Sequence, residues 1–286
     1  MIPPTFEYVR PRTVDDAVAA LSASDNAKVL AGGQSLLPIL RLRLAYPDLV
    51  VDLNRTAGMH GIRDDGEELA IGAMTTHYQV MTSDLVRRHC GLLAEATATV
   101  ADPQVRHRGT FGGALAHADP AGDLPAVALA LGVTLVVAGP GGRRMVPAAE
   151  FFVNVFQTAL EPEDLLVEVR VPKLGAASGW GYRYEKFQRV AQAWAIVAVA
   201  ALVRRSGHAI GEARIALTNM GATPLRATAA EAALAGAEAQ PAVVERAAAH
   251  TADGTSPTAD ISGQADYRQH LARVLTRSAV LAAAGI

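Results

Sequence analysis

The sequence predicts an α+β protein in which a two-part N-terminal domain is followed by a second α+β domain. Three observations carry this: a strand–helix–strand order over residues 1–56, a strand-rich stretch from 57 to 174, and a change of character over 175–286. At 286 residues the chain can fill more than one core. A hydrophobic fraction of 50% and a charged fraction of 19% describe a folded protein rather than a disordered one. The net charge of −2 gives no reason to expect nucleic acid or an anionic membrane as partner. The charged fraction is low for a freely soluble monomer, so other subunits are expected to cover part of the surface.

Tyr8-Val9-Arg10-Pro11 reads as an extended segment stopped by proline. Thr13 then caps a helix, Asp15 and Asp16 suit its positive end, and Val14, Ala17, Val18 and Leu21 form its apolar stripe. Lys28-Val29-Leu30-Ala31 is a strand running into Gly32-Gly33. Leu36 to Leu44 reads as a short buried helix, and Leu49 to Leu53 as a buried strand, which makes the first unit βαβ-like. In the second unit Leu69 to Ala73 is a strand, Thr75-Thr76-His77 opens a helix through Leu85, and another helix covers Leu92 to Val100. The segment around Gly109 reads as a loop, and Asp123 to Leu131 as a helix. Thr134 to Ala138 and Arg144 to Val146 pair across a Gly-Pro-Gly-Gly turn, and alternating Leu165 to Pro172 closes the domain.

Gly175-Ala176-Ala177-Ser178-Gly179 is the linker candidate. Beyond it Tyr182 to Val203 alternates and then turns strongly apolar, and Ile210 to Met220 is a strand. Segments 226–237, 242–249 and 267–284 read as helices, giving a meander covered by helices. The single cysteine, Cys90, excludes an internal disulfide. It also excludes an iron–sulfur cluster held by this chain, which takes about four thiolates. No basic segment followed by an apolar run opens the sequence. The longest apolar run, Ala191 to Val203, contains Gln192 and is too short to cross a bilayer, so no transmembrane segment and a cytoplasmic location are expected.

Chemistry concentrates in two glycine loops. Ala31-Gly32-Gly33-Gln34-Ser35-Leu36 sets glycines between a strand and a helix, the order that aims backbone N–H groups at an anion, and Gln34 and Ser35 add donors. It is neither a Walker loop nor Gly-x-Gly-x-x-Gly, and an isolated Gly-Gly of this kind is more often a helix-entry turn. Gly109-Thr110-Phe111-Gly112-Gly113-Ala114 repeats the type, with Thr110 as hydroxyl donor and two glycines allowing close approach. Two such loops in one chain point to a clamp on a diphosphate.

Other candidates keep two readings each. Lys28 is a surface charge or a phosphate or adenylate contact, and Asp123 a helix cap or an acceptor for ribose hydroxyls. Tyr182, Tyr184, Phe187 and Trp194 around Lys186 are core packing or an aromatic wall beside a planar cofactor. His107 and His117 lack a third ligand at metal-site spacing, so no metal is expected. Cys90 has no neighbouring base and reads as a small buried apolar residue.

Taken together, Ala31 to Pro38, Ile71 to His77, Gln104 to Gly113 and Ala116 to Pro125 resemble the FAD-binding medium subunit of molybdenum hydroxylases. The likeness extends through Phe151-Phe152, Thr158-Ala159-Leu160 and Glu185-Lys186-Phe187, nearly the whole chain. It is to the carbon monoxide dehydrogenase medium subunits and the xanthine dehydrogenase family. The resemblance implies an FAD-binding domain of two subdomains, of the vanillyl-alcohol-oxidase type (about 1–56 and 57–174), then a flavoprotein C-terminal domain from 175 to 286. It implies non-covalent FAD with its diphosphate between Gly32-Gly33-Gln34-Ser35 and Thr110 with Gly112-Gly113. Lys28, Leu30, Ala31 and Leu36 match the adenosine and diphosphate side, and Ala114, His117, Gly122 and Asp123 the second loop's contacts. Leu166 and Lys186 match positions beside the flavin, and Trp194 stands where some relatives have a flavin-facing tyrosine. Relatives often carry isoleucine or valine at Phe111 and asparagine or serine at Ala114, so any Ala114 contact must use backbone.

The same resemblance implies an electron-transfer subunit, taking electrons from a partner [2Fe–2S] cluster and passing them to an external acceptor. The partners implied are a large molybdopterin subunit and a small [2Fe–2S] subunit, arranged as a dimer of heterotrimers. No residue of this chain is then required as general acid or base. Two alternatives stand beside it: a stand-alone FAD oxidase or dehydrogenase of the same fold, and a nucleotide-binding, non-catalytic subunit. The substrate of the complex is left open among carbon monoxide, purines, N-heteroaromatics and aldehydes, as is the acceptor.

Overall fold

The computed structural model describes residues 2–174 and 179–286, so the expected linker lies outside it except for Gly179. The first lobe contains β1 (Glu7–Val9), α1 (Val14–Ser22), β2 (Ala27–Leu30), α2 (Leu36–Arg41) and β3 (Leu49–Asp52). Its strands form a parallel sheet in the order β1-β3-β2, as the βαβ pattern requires. The Thr13 hydroxyl accepts from the Asp16 N–H at 3.1 Å, and α1 buries the stripe Val14, Ala17, Val18 and Leu21. The helix expected over 36–44 is shorter and less buried than its apolar content suggests. It stops at Arg41, buries Leu40, and leaves Leu42 and Leu44 exposed. Arg43, at φ 57°, turns the chain out of helical geometry.

The second lobe is built on β4 (Ile62–Asp65) and β5 (Glu68–Gly72). The helices α3 (His77–Thr82), α4 (Asp84–His89), α5 (Gly91–Ala98), α6 (Pro103–Arg108), α7 (Phe111–His117) and α8 (Asp123–Leu131) follow. Then come β6 (Thr134–Gly139), β7 (Gly142–Pro147), α9 (Ala148–Phe151), β8 (Phe152–Asn154), β9 (Gln157–Thr158) and β10 (Leu165–Pro172). A five-stranded antiparallel sheet runs β4-β5-β10-β6-β7. The helix expected over 75–85 is broken at Ser83, whose hydroxyl accepts from the Val86 N–H at 3.4 Å and starts α4. The segment expected as a loop around Gly109 is mostly helical. Asp102 caps α6, with Pro103 in its first turn, and Thr110 caps α7.

The C-terminal domain is a meander, β11 (Trp180–Phe187), β12 (Val197–Ser206), β13 (Ala209–Thr218) and β14 (Leu225–Arg226), covered by α10 (Thr228–Leu234), α11 (Pro241–Ala248) and α12 (Ala265–Ala284). Alternate residues of β12 enter different cores. Ala198, Ala200 and Leu202 pack with the N-terminal domain, while Val197, Val199, Ala201 and Val203 pack with α12 and its neighbours. Burial on both faces explains why this strand lacks the polar alternation of β11. The architecture is therefore the expected α+β one. Among the described residues no helix is long and apolar enough to cross a membrane.

Candidate functional site

The first glycine loop leaves β2 at Leu30 and enters α2 at Leu36. Its carbonyls are occupied: Ala31 O accepts from Asn54 Nδ2 at 3.2 Å, Gly32 O from Gln34 Nε2 at 3.3 Å, and Gly33 O from the Leu37 N–H at 3.1 Å. Among the described residues, the N–H groups of Gly32, Gly33, Gln34 and Ser35 donate to no protein group. In a trans peptide each carbonyl points opposite to the next N–H, so these three occupied carbonyls fix the direction of the Gly32, Gly33 and Gln34 amides. Gly33 holds φ at 78°, which favours glycine there. This is the backbone arrangement of an anion nest.

The second jaw departs from the sequence reading. The Gly112 N–H donates to Ala73 O at 2.9 Å and the Gly113 N–H to Thr110 Oγ1 at 3.1 Å, so neither glycine amide is left for a phosphate. Both glycines serve close packing. A Cβ at Gly112 would lie 2.4 Å from Ala73 Cβ, and one at Gly113 would lie 2.6 Å from Thr110 Oγ1. Thr110 itself faces Thr76 in an antiparallel bridge flanked by Phe111 N–H to Thr75 O and His77 N–H to Gly109 O, each 2.9 Å. That pattern turns the Thr110 N–H away from Thr76, and it donates to no group among the described residues. Thr110 thus keeps an N–H and a hydroxyl hydrogen for a ligand.

The two jaws touch. A Cβ on Gly32 would sit 2.3 Å from Arg108 O and 2.7 Å from Gly109 Cα, and one on Gly113 would reach Ala31 Cβ at 3.5 Å. Beside this contact runs an apolar slot lined by Val29, Ala31, Leu53, Gly113, Ala116 and Leu166. Next to it Asn54, Thr76, Tyr78, His107, Arg108 and Thr110 line a polar cleft that shares Met74 with the slot. A bulge in β10 between Leu166 and Glu168 accompanies a further tie, the Ala73 N–H donating to Val167 O at 3.0 Å, which couples the second jaw to the central sheet.

The remaining expected contacts disperse. Leu166 joins the slot, where Leu30 and Leu36 flank the first loop, half-buried, and Lys28 is exposed on β2. Ala114 is half-buried on α7, its N–H committed to Thr110 O at 3.0 Å, so the backbone contact expected there can only use its carbonyl. His117 packs against Phe156 with ring centroids 5.0 Å apart. Gly122 caps α8, its N–H donating to Asp119 O at 2.9 Å. Trp194 is exposed, as is Phe187, so those two aromatics are not core.

Asp123 and Lys186 meet each other. Lys186 Nζ lies 2.8 Å from Asp123 Oδ2, with both side chains 4% exposed, and Tyr184 Oη donates to Asp123 Oδ1 at 2.6 Å. Lys186 also donates to Thr99 O at 3.2 Å, and Glu95 accepts from the Tyr184 N–H at 2.9 Å. Burial pushes the Asp123 carboxyl up, opposed by Lys186 and Tyr184, and pushes the Tyr184 phenol well up, helped by the Asp123 charge. This cluster fastens β11 of the C-terminal domain to α5 and α8.

Sequence reasoning missed the polar groups under the first loop. Buried Asp52 accepts from the Asn54 N–H at 2.9 Å, from Asn54 Nδ2 at 2.6 Å and from Tyr8 Oη, and pairs with Arg10 Nε at 3.1 Å. Burial alone would raise its carboxyl; the donors hold it below the usual range. It also missed His77, a buried ring under Gly109. Burial, then the Arg106 charge, pushes His77 down to about 4. The unfolded chain takes up that proton near pH 6.5 and the folded one does not. The neutral ring's contribution is complete above pH 6.5 and is lost as pH falls toward about 4, to a limit of roughly 3 kcal/mol. Urea midpoints at pH 7 and pH 4.5 should therefore differ more in the wild type than in His77→Gln; equal pH dependence would show that His77 does not titrate this way.

Comparison with known proteins agrees with the geometry along the chain. Residues 4–174 match the family described as FAD binding domain in molybdopterin dehydrogenase, and residues 182–283 match the CO dehydrogenase flavoprotein C-terminal domain. The carbon monoxide dehydrogenase medium chain of Hydrogenophaga pseudoflava is 42% identical over 99% of this chain and 98% of its own length. The nicotine 6-hydroxylase medium subunit of Paenarthrobacter nicotinovorans is 35% identical over 98% of each. A solved structure of carbon monoxide dehydrogenase from Hydrogenophaga pseudoflava, lacking the Mo-pyranopterin moiety of the molybdenum cofactor, superposes with a TM-score of 0.96. It is 45% identical and covers 99% of this chain and 98% of that one. With both domains matched in order and relatives aligned end to end, the chain belongs to the family of FAD-binding medium subunits of molybdenum hydroxylases.

Proposed function

We propose that this chain is the FAD-carrying electron-transfer subunit of a molybdenum hydroxylase, holding the cofactor's diphosphate across the Gly32–Ser35 amides and Thr110. The observation that supports this best is the run of unpartnered amides, which starts at Gly32 against the Arg108–Gly109 backbone that leads into Thr110. The residues fit the group. The amides and the Thr110 hydroxyl supply donors without positive side-chain charge, and the slot beside them offers an apolar wall. When bound, FAD supplies one- and two-electron redox chemistry, while the chain binds, orients and shields it. Lys28, Leu30, Leu36, His117, Gly122 and Trp194 are proposed to line the cofactor further out, Ala114 through its carbonyl. Asp123 and Lys186 support the site by joining the domains.

The partners in this reading are a large molybdopterin subunit and a small [2Fe–2S] subunit, in a cytoplasmic dimer of heterotrimers. The lone cysteine supports it, since cluster ligands must come from another chain. Similar chains are the medium subunits of a carbon monoxide dehydrogenase and of a nicotine 6-hydroxylase, which supports a reading in which another subunit chooses the substrate. The test is reconstitution of the purified chain, alone and with its partners, with FAD. A yellow protein with one FAD per chain is expected, and a chain that takes up no FAD in either setting would end the proposal. Gly113→Asp should lose FAD by more than about a hundredfold in affinity. Its Cβ meets Thr110 Oγ1 and its carboxylate repels the diphosphate.

A further inference from the structure

The first jaw's free amides are held in place by a side chain that the family resemblance and the motif reading both passed over. Asn54 stands in the short 3-10 turn Leu53–Arg55 that follows β3. Its Nδ2 has two hydrogens and two oxygen partners, Asp52 Oδ1 at 2.6 Å and Ala31 O at 3.2 Å. Flipping the amide would set Oδ1 against both oxygens, so the geometry fixes the orientation. Asp52 is in turn held by Tyr8 and Arg10 from the β1 segment, and it also accepts the Asn54 N–H. All the strands of the first sheet are therefore tied to one carbonyl, that of Ala31.

We propose that Asn54, oriented by Asp52, is the positioning residue for the cofactor's diphosphate loop. By drawing the Ala31 carbonyl toward β3 it commits the Gly32 N–H to the opposite side and starts the run of free amides. The proposal rests on the FAD reading above. Gln34 and Leu37 hold the next two carbonyls, but both belong to the loop or its own helix. Asn54 is the one anchor of these three that comes from another element, the turn after β3. Without it the Ala31 carbonyl loses its hydrogen-bond partner, and an anion must order the Ala31–Gly32 peptide on binding. The loop itself is half-exposed, with Gln34 exposed, and its packing on the Arg108–Gly109 backbone supplies no hydrogen bond to the Ala31 carbonyl.

The experiment measures FAD, ADP and adenosine binding to the wild-type full chain and to Asn54→Ala. ADP carries the diphosphate, and adenosine does not. Asn54→Ala should weaken ADP and FAD by about tenfold or more, the worth of one directed hydrogen bond, and leave adenosine within about twofold. Unchanged ADP and FAD affinity, or an equal loss for adenosine, would overturn the proposal. Failure of the wild type to bind FAD would instead count against the cofactor reading. Amide exchange on the wild type covers the case in which the variant does not fold. Gly32, Gly33, Gln34 and Ser35 should exchange freely without ligand and slow with ADP, whereas Gly112 and Gly113 should be slow in both. Protection of the Gly32–Ser35 amides before ligand is added would also overturn it.

Discussion

Lys186→Met is expected to destabilise the protein by about 3–5 kcal/mol, the range for removing one partner of a buried ion pair. The reason is what the substitution leaves behind. Asp123 would keep a buried carboxylate with only the Tyr184 hydroxyl against it, in a place where water cannot take over the role of the ammonium. Met fills much the same volume as Lys, so the loss reports charge and not a cavity. Asp123→Asn in the same chain removes the orphaned charge, and the double variant should recover most of the stability. The measurement is the urea midpoint of each member of the four-member cycle. A single-variant loss under about 1 kcal/mol, or a double variant as weak as the single one, would show that the pair does not fasten β11 to α5 and α8.

That pair also marks where reading the sequence stops being sufficient. Asp123 as the first residue of a helix was legible from Gly122 before it and the apolar run after it. Its partner was not, because Lys186 lies in another domain, and nothing local to either residue encodes the meeting. The same holds for Asn54 under Ala31, 23 positions apart, and for His77 under Gly109. By contrast α1, α8, the β6–β7 hairpin and the C-terminal meander follow from caps, period and turn residues that act within a few positions. Helix α2 shows the opposite failure. The apolar content of residues 36–44 suggests a buried helix, yet Leu37 on α2 and Leu42 and Leu44 beyond its end stay on the surface. Composition marks a residue as able to be buried, and only packing decides whether it is.

Gly32→Ala is expected to weaken FAD binding by at least about a hundredfold, or roughly 3 kcal/mol, while adding no charge to the site. At most glycines in loops a methyl group meets side-chain ends or open solvent. Here it would lie 2.3 Å from Arg108 O and 2.9 Å from Arg108 C, and 2.7 Å from Gly109 Cα, all backbone of the opposite jaw. The second jaw cannot give way easily. Gly109 O accepts from the His77 N–H, Gly112 donates to Ala73, and Ala73 donates to Val167 on the central sheet. The first loop must therefore move, carrying the free amides away from Thr110 and breaking the distance match on which a two-sided grip depends. Gly33→Ala is the control. Its strain arises from a φ of 78°, and its closest contacts are the flexible ends of Leu37 and Leu30, so it should cost stability more than jaw spacing. Titration of FAD against both variants, beside their urea midpoints, separates the two effects. If Gly32→Ala bound FAD as the wild type does, the contact between the jaws would not set the grip on the diphosphate.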